Sequence, residues 1–493
     1  MIDMFIVIIY VLGILIYGFY KAKEVKNTED YLVAGRKTPI LPLIGTLVMT
    51  EFNTATLMGW AKLGYSAGLF ASMVPVVFIV GYGFYTLFAA KNWKKVNCIS
   101  VAEMFEDRYG KEIRIIISII NIFLLLILCS AYLKGASIIF NIAFGLSLNA
   151  TIVIICLVVL AFTLAGGLIS VIWTDLASFI VTVLTIPVLF FISLNKSGGL
   201  QGLQSVYTSN YLGWKIIENW NDPVLSTKFI LSYCVLLTML YYTAPWYAQR
   251  MFAAKNERVA YYSMAWTTFL TFLLYFLIMI ICAFSKVGWP YLKHEDMSLG
   301  FAYAISYWVP VGLKGLILSM IFAVCQTTLS SIWNTNASMI EQDIFVGIFK
   351  PNATEKERMF FSKIITLILA LFTIFGSIYF MKYILAMLFI ADVLLTVSFA
   401  PAFGAFYFKW ANKKGAIASI ISTLIVGIIT LIVKWGPHGL EHNEWMVLYV
   451  CASLPIMFIS LYIFSKFTKT DEKETEKRNK FYEKIGRKLY SYN

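Results

Sequence analysis

Hydroxyl side chains are concentrated within one long apolar stretch, residues 311–340. Four of them lie close together there: Thr327, Thr328, Ser330 and Ser331. On a helix, residues three and four apart share a face. Thr327, Ser330 and Ser331 therefore form one stripe, with Thr328 on its flank. Oxygen atoms of this kind are the ligands that hard cations require in place of water. Packing between helices explains the same residues, since Ser and Thr are common where helices meet in a membrane. The stripe therefore predicts a cation site or a helix contact.

Four ionisable residues fall inside or at the ends of other apolar stretches: Glu51, Lys134, Asp175 and Asp392. Charged side chains are costly at membrane depth, and a functional role is the first interpretation for each. Two of them have a second interpretation. Asp175 is placed to cap a helix, and Lys134 is close enough to the far interface to extend its amine into water. The sequence gives no specific partner for Asp392.

Two apolar segments are interrupted by polar or helix-breaking residues. The first interruption is residues 50–56, and the second is residues 241–246, which include Pro245. Broken helices in matching positions of two halves are typical of transporters built from inverted repeats, with the solute bound at the breaks. We therefore expect a solute site that includes Glu51, Asn53, Thr56, Tyr241 and Trp246. Lys134 is a sixth candidate, as an ionisable residue within another apolar segment.

The elements that must position these residues are membrane helices. Hydrophobic residues make up 60% of the chain and charged residues 14%, whereas a soluble domain carries about 25% charged residues. Long apolar runs in lipid form helices, because the backbone must satisfy its own hydrogen bonds. Thirteen apolar segments are predicted, near residues 2–20, 40–61, 68–90, 115–145, 149–167, 172–194, 226–247, 260–285, 311–340, 360–381, 383–408, 415–434 and 445–465. The fold class is accordingly all-α, with thirteen transmembrane helices.

The distribution of Lys and Arg predicts the orientation. With the N-terminus outside, 30 of these residues fall in cytoplasmic segments and nine in external ones. The positive-inside rule therefore predicts an N-out, C-in topology. It also explains the net charge of +13 without nucleic acid as a partner. The basic tail, residues 466–493, suits an anionic membrane surface.

Several stretches together resemble the sodium:solute symporter family, which includes carriers for proline, pantothenate, sialic acid and glucose. The matching stretches are residues 29–36, 101–110, 166–175, 249–255 and 327–331. The resemblance implies a LeuT-type core of two inverted repeats of five helices each, helices 2–6 and 7–11. We expect a single transmembrane domain over residues 1–465, divided into a first helix and loop (1–39), repeat one (40–194), repeat two (226–408) and two last helices (415–465).

The same resemblance implies two ion sites. The first would take sodium through carbonyl and hydroxyl oxygens of Thr54, Leu57, Val324, Thr327 and Thr328. A second, present in some members, would use Asp175, Ser330 and Ser331. Sodium is thus the expected coupling ion, with one or two ions carried in each cycle.

The expected function is sodium-coupled import of a small polar organic solute by alternating access, in a multi-pass protein of the cell membrane. Two alternatives stay open: a proton-coupled carrier that titrates Glu51, and a membrane sensor. An enzyme is not expected, since no nucleophile–base motif or phosphate loop occurs, and the partners expected are solute and lipid, with no obligate protein partner evident. Proline is not expected as the solute, because Thr56 stands where the proline carriers have Asp. Lys134 lies near the carboxylate-binding Arg of the sialic-acid carriers, so it favours an anionic solute unless Glu51 neutralises it.

Overall fold

The chain folds almost entirely into helices. The computed structural model describes residues 1–294, 296–379, 384–436, 439–440 and 442–486. Its first ten α-helices are α1 (Ile2–Ala22), α2 (Thr28–Val33), α3 (Ile40–Glu51), α4 (Thr54–Ala67), α5 (Val76–Phe88), α6 (Ala90–Val96), α7 (Val101–Tyr109), α8 (Lys111–Phe144), α9 (Leu148–Lys196) and α10 (Gly199–Val206). Short 3-10 helices lie at Ala34–Arg36, Gly68–Met73 and Ser209–Tyr211.

The second half continues in the same way. Its α-helices are α11 (Thr227–Thr243), α12 (Pro245–Ala253), α13 (Glu257–Gly288), α14 (Leu299–Tyr303), α15 (Leu313–Met339), α16 (Glu355–Tyr379), α17 (Ile384–Thr396), α18 (Phe399–Tyr407), α19 (Lys413–Val433), α20 (His442–Lys466) and α21 (Glu472–Lys484). Two π-helical segments are Ala304–Trp308 and Ile340–Phe349. Two short strands, β1 (Trp435–Gly436) and β2 (Gly439–Leu440), pair antiparallel.

Within the described residues, nine helices are long and apolar enough to cross a membrane, and the number rises to eleven if each bent pair of helices is one span. The bent pairs are α3 with α4, at 58°, and α11 with α12, at 49°. Two shorter apolar helices, Val76–Phe88 and Leu148–Ala161, add to these. The prediction of an all-helical membrane protein is therefore confirmed. The predicted boundary between the tenth and eleventh segments, at residues 381–383, lies outside the described residues.

The predicted fifth and sixth segments are joined in α9 across a kink at Gly167. This residue has φ +51°, a conformation that a residue with a side chain rarely adopts. A Cβ atom there would also lie 2.5 Å from the ring of Tyr31. The close approach of α2 and the backbone conformation both require glycine at this kink.

Local residue chemistry explains both broken helices. Asn53 begins α4 as its N-cap, because its side-chain oxygen accepts a hydrogen bond from the Thr56 N–H at 2.7 Å. In the second break, Ala244 is non-helical and Pro245 opens α12, where the missing N–H of proline costs nothing. Each break thus separates two helices with regular ends.

Helix α15 is the centre of the bundle, and almost all of its residues are buried. It contacts α1, α3, α8, α9 and α16. Its N-terminus is held by α1, since the Asp3 carboxylate accepts hydrogen bonds from the N–H groups of Gly312 at 2.7 Å and Gly315 at 2.9 Å. The hydroxyl stripe predicted from the sequence therefore lies in the most enclosed part of the protein.

Part of the predicted basic tail packs on the protein. Helix α21 contacts α7, and its Phe481 and Tyr482 side chains are buried. The Lys484 amine lies 2.7 Å from the Asp107 carboxylate of α7. The ring of Tyr482 lies 5.6 Å from the guanidinium of the buried Arg108. Residues 472–484 are thus a docked helix, beyond the membrane-surface role that their charge indicated.

Candidate solute cavity and cation sites

A cavity lies where the two broken helices meet. It is narrow in this structure, with about 30 Å³ of room for the centres of water molecules. Five of the six predicted solute residues line it: Glu51, Asn53, Thr56, Tyr241 and Trp246. Sequence reasoning did not predict the other lining residues, which are Trp60, Leu128, Tyr132, Tyr233, Leu237, Leu240, Leu388 and Asp392. The structure therefore brings both breaks to one polar and aromatic cavity.

The Glu51 carboxylate accepts two hydrogen bonds from tyrosines. The Tyr241 hydroxyl lies 2.8 Å from one oxygen and the Tyr247 hydroxyl 2.5 Å from the other. The Tyr82 hydroxyl is bonded in turn to that of Tyr247. Because Tyr247 has one proton and gives it to Glu51, Tyr82 must donate to Tyr247. Three phenols are thus aligned towards one carboxylate.

The backbone of the first break is held by side chains as well. The Glu51 carbonyl accepts hydrogen bonds from the Tyr275 hydroxyl at 3.0 Å and the Asn53 amide at 2.8 Å. The Asn53 N–H donates to the Tyr275 oxygen at 3.2 Å. In a continuous helix that N–H would bond to the carbonyl of Met49, four residues earlier. The break therefore leaves the Met49 carbonyl without its helical donor.

Lys134 lies on α8, close to the cavity in sequence but not among its lining residues. It is two residues beyond Tyr132, about 200° around the helix, so the two side chains point in opposite directions. The ion pairs formed by the described residues do not include Lys134. The structure does not contain the predicted pair of Lys134 with Glu51, whose two oxygens are already bonded to tyrosines.

Oxygen atoms converge where α15 passes the first break. The Thr328 hydroxyl lies 2.8 Å from the Val324 carbonyl and 3.4 Å from the Met49 carbonyl. The Thr327 hydroxyl lies 3.1 Å and 3.2 Å from the same two carbonyls. Three of the five predicted ligands of the first sodium site, Val324, Thr327 and Thr328, are therefore together, beside the carbonyl that has lost its helical donor.

The other two predicted ligands, Thr54 and Leu57, lie further along the chain, and their role as ligands stays a prediction. Both lie after the break, in the first turn of α4, where their carbonyls accept hydrogen bonds within the helix. The Thr54 hydroxyl donates to the Tyr132 carbonyl of α8 at 2.5 Å, and the Thr54 carbonyl lies against Gly135 of the same helix. Met49, in the last turn of α3, faces the threonines instead.

The residues of the predicted second ion site surround an arginine. The Arg250 guanidinium donates to the Ser331 hydroxyl at 2.6 Å and to the Thr46 hydroxyl at 3.0 Å. It lies 3.9 Å from the Asp175 carboxylate, which accepts a hydrogen bond from Thr46 at 2.6 Å. Asp175 and Arg250 are both fully buried. Sequence reasoning used Arg250 only as part of a matching stretch and assigned it no contact.

The third predicted ligand of that site, Ser330, is turned to its own helix. Its hydroxyl donates to the Thr327 carbonyl at 3.2 Å. The other Asp175 oxygen has no hydrogen-bond partner among the described residues. Where sequence reasoning predicted a sodium ion, the chain thus places its own cation.

Two broken helices that meet at an enclosed polar cavity, within a bundle of membrane-length helices, define a membrane transporter. The sequence profile of the sodium:solute symporter family matches residues 31–427. The chain belongs to this family. It is therefore a sodium-coupled symporter and a multi-pass membrane protein, not an enzyme, and its predicted family and coupling ion are confirmed.

Similar proteins agree with this assignment. The sodium/proline symporter of Escherichia coli (strain K12) is 24% identical over 511 residues, covering 95% of this chain and 94% of that protein. Sodium/glucose cotransporter 4 of Danio rerio is 23% identical, and the match covers 88% of this chain and 72% of that protein. A solved structure of a Na+-coupled sialic acid symporter, substrate-bound and outward-open, has a TM-score of 0.80 at 18% identity, covering 95% and 98%. That likeness shows the fold.

Proposed function

We propose that the coupling sodium ion binds between Met49, Val324, Thr327 and Thr328. The observation that carries this site is the Met49 carbonyl, which has lost its helical donor and lies within 3.4 Å of both threonine hydroxyls. Carbonyl and hydroxyl oxygens are suitable ligands for a hard cation. Because α3 and α15 each contribute ligands, a bound ion would tie the first broken helix to the centre of the bundle. Sodium binding would thereby favour one arrangement of the break.

The test is sodium-dependent thermal stabilisation of the purified protein without organic solute. Thr328→Ala removes one oxygen ligand and is expected to raise the half-maximal sodium concentration about tenfold, which corresponds to about 1.4 kcal/mol. Thr328→Ser is expected to retain most of the effect. The matched control is Thr366→Ala, since the Thr366 hydroxyl is buried and bonds only along its own helix, to the Ser362 carbonyl at 2.9 Å. An unchanged sodium response in Thr328→Ala would contradict the site.

The cavity at the two breaks is proposed to bind the solute, and the chain is proposed to cross the membrane thirteen times with its N-terminus outside. Nine single helices, two bent pairs and two shorter apolar helices together account for thirteen spans. The broken helices would open the inverted repeats, residues 40–194 and 226–408, within one transmembrane domain. Single cysteines placed in the α1–α2 and α10–α11 loops and labelled with a fluorescent reagent in intact cells test the orientation. Only the α10–α11 cysteine is expected to react. Labelling of the α1–α2 cysteine would contradict the proposed orientation.

We further propose that one sodium ion is coupled to each cycle. Arg250 supports this, because its guanidinium contacts Ser331 and lies beside Asp175. An ion there would meet a positive charge as well as a negative one. One ion moving down a tenfold gradient and a potential of about 100 mV releases about 3.7 kcal/mol, enough for roughly 500-fold accumulation of a neutral solute.

A further inference from the structure

The charged groups that line the cavity are all acidic among the lining residues that the structure describes. Glu51 and Asp392 contribute carboxylates, and none of the lining residues is Lys, Arg or His. We propose that the transported solute is an organic cation with an ammonium centre and no carboxylate. This rests on the proposal that the cavity binds the solute, and it names the class of solute that the cavity selects.

The hydrogen bonds at Glu51 favour a negative charge there. Both of its oxygens accept from phenols, at 2.8 Å from Tyr241 and 2.5 Å from Tyr247. Hydrogen bonds to an ionised carboxylate are stronger than those to a neutral carboxyl, so phenols at both oxygens favour the charged form. Phenols stabilise the charge without cancelling it. A bound cation would balance the charge of an ionised Glu51.

Asp392 adds a second carboxylate on the opposite helix, α17. Its side chain is 9% exposed and lines the cavity. Two carboxylates in one enclosed space repel each other, and a cation between them relieves that repulsion. A solute carboxylate would meet these two acidic side chains with no basic lining residue beside it, so anionic and zwitterionic solutes are disfavoured at the same position.

Aromatic rings form much of the remaining wall. Trp60, Tyr132, Tyr233, Tyr241 and Trp246 all line the cavity. The faces of such rings attract cations, and rings grouped around one space are a known way to bind ammonium groups. A sugar-like neutral solute would instead require several amide or hydroxyl partners, whereas Asn53 already uses its side chain to cap α4 and to hold the Glu51 carbonyl. The acidic side chains and the aromatic wall of the cavity thus both favour an ammonium solute.

The experiment measures binding to the purified full-length chain in lipid nanodiscs, with sodium present. The probes are choline and n-butylamine as ammonium compounds, neohexanol as the uncharged carbon analogue of choline, glycine betaine as a zwitterion, and lactate as an anion. At least one ammonium probe is expected to bind more than tenfold more tightly than the other three classes. Asp392→Asn is expected to weaken that binding at least tenfold, and Asp392→Glu to keep most of it.

The matched control is Glu112→Gln, which removes one negative charge from an exposed pair with Lys413 and is expected to leave binding unchanged. Equal or tighter binding of the neutral, zwitterionic or anionic probe would overturn the proposal, as would failure of both ammonium probes to bind. Sodium-induced stabilisation is recorded on the same samples. If it is present in the wild type and weakened in Thr328→Ala while the ammonium probes fail, the sodium site stands and only the solute class is wrong. The same stabilisation in Asp392→Asn verifies that this variant is folded.

Discussion

Two acids in the same bundle, the half-buried Glu51 and the fully buried Asp175, have different kinds of partner. Glu51 is bonded to neutral phenols, so its charge is stabilised but remains in place. Asp175 lies 3.9 Å from the Arg250 guanidinium, so the protein supplies its counter-charge. A buried acid near a transport pathway is therefore not by itself a cation site. The partners decide whether the cation comes from the protein or from solution.

The largest expected effect is on stability, from removing the internal cation. Arg250→Met leaves Asp175 buried without its counter-charge, which is expected to cost about 3 to 5 kcal/mol, because a single buried charge loses its partner. The double variant Arg250→Met, Asp175→Asn is expected to recover most of this loss. Thermal unfolding in detergent measures both. Lys215→Gln, which breaks an exposed pair with Glu218, is the control and should change little. If the double variant is no more stable than the single one, Asp175 and Arg250 are not paired.

An intermediate effect is expected at Glu51. Glu51→Gln removes the charge to which two phenols donate, and hydrogen bonds to charged groups are worth about 1.5 to 3 kcal/mol. Binding of the best solute probe is expected to weaken about thirtyfold, for a loss of about 2 kcal/mol.

A smaller loss of solute binding is expected from changing Tyr82, which contacts Glu51 only through Tyr247. Tyr82→Phe removes only the outer phenol and is expected to weaken solute binding about fivefold, or about 1 kcal/mol. Tyr85→Phe is the matched control, because Tyr85 is a buried tyrosine on the same helix whose hydroxyl has no partner among the described residues. Equal losses in Tyr82→Phe and Tyr85→Phe would show that the phenol chain does not support Glu51.

The smallest expected effect is on the coupling ratio. Asp175→Asn is expected to leave the ratio at one sodium ion per solute, because Arg250 already occupies that region. The reversal potential of solute-coupled current in proteoliposomes measures the ratio in the wild type and in the variant, and the double variant with Arg250→Met controls for stability. A ratio of two that falls to one in Asp175→Asn would instead restore Asp175 as a ligand of a second sodium ion.

The parts of the site that were predictable from sequence are those with an unusual residue type at membrane depth. Glu51, Asn53 and Thr56 interrupt an apolar run, and Pro245 marks the second break, so both halves of the cavity could be predicted. Tyr82 and Tyr247 could not, because a tyrosine in an apolar helix is equally typical of a membrane interface. Only the fold shows that their hydroxyls meet at one carboxylate.

The proposed first ion site depends on a detail of the backbone that matching stretches do not contain. The resemblance put carbonyl ligands at Thr54 and Leu57, three residues apart. The structure puts a carbonyl without its helical donor five residues earlier than Thr54, at Met49, because Asn53 gives its N–H to Tyr275. Which carbonyl becomes available depends on where the helix breaks, and a side chain far away in sequence fixes that point.

The docking of α21 has a consequence for how the protein is made. This helix follows α1–α20 in the chain, so it leaves the ribosome after them. Until it arrives, the ring of Tyr482 is missing from beside Arg108, a fully buried guanidinium that donates to the Ala411 carbonyl at 2.7 Å. A chain that stops translation early would insert its spans yet leave this surface of α7 uncovered. Residues 472–484 therefore complete the packing around Arg108 only after the helices before them are in place.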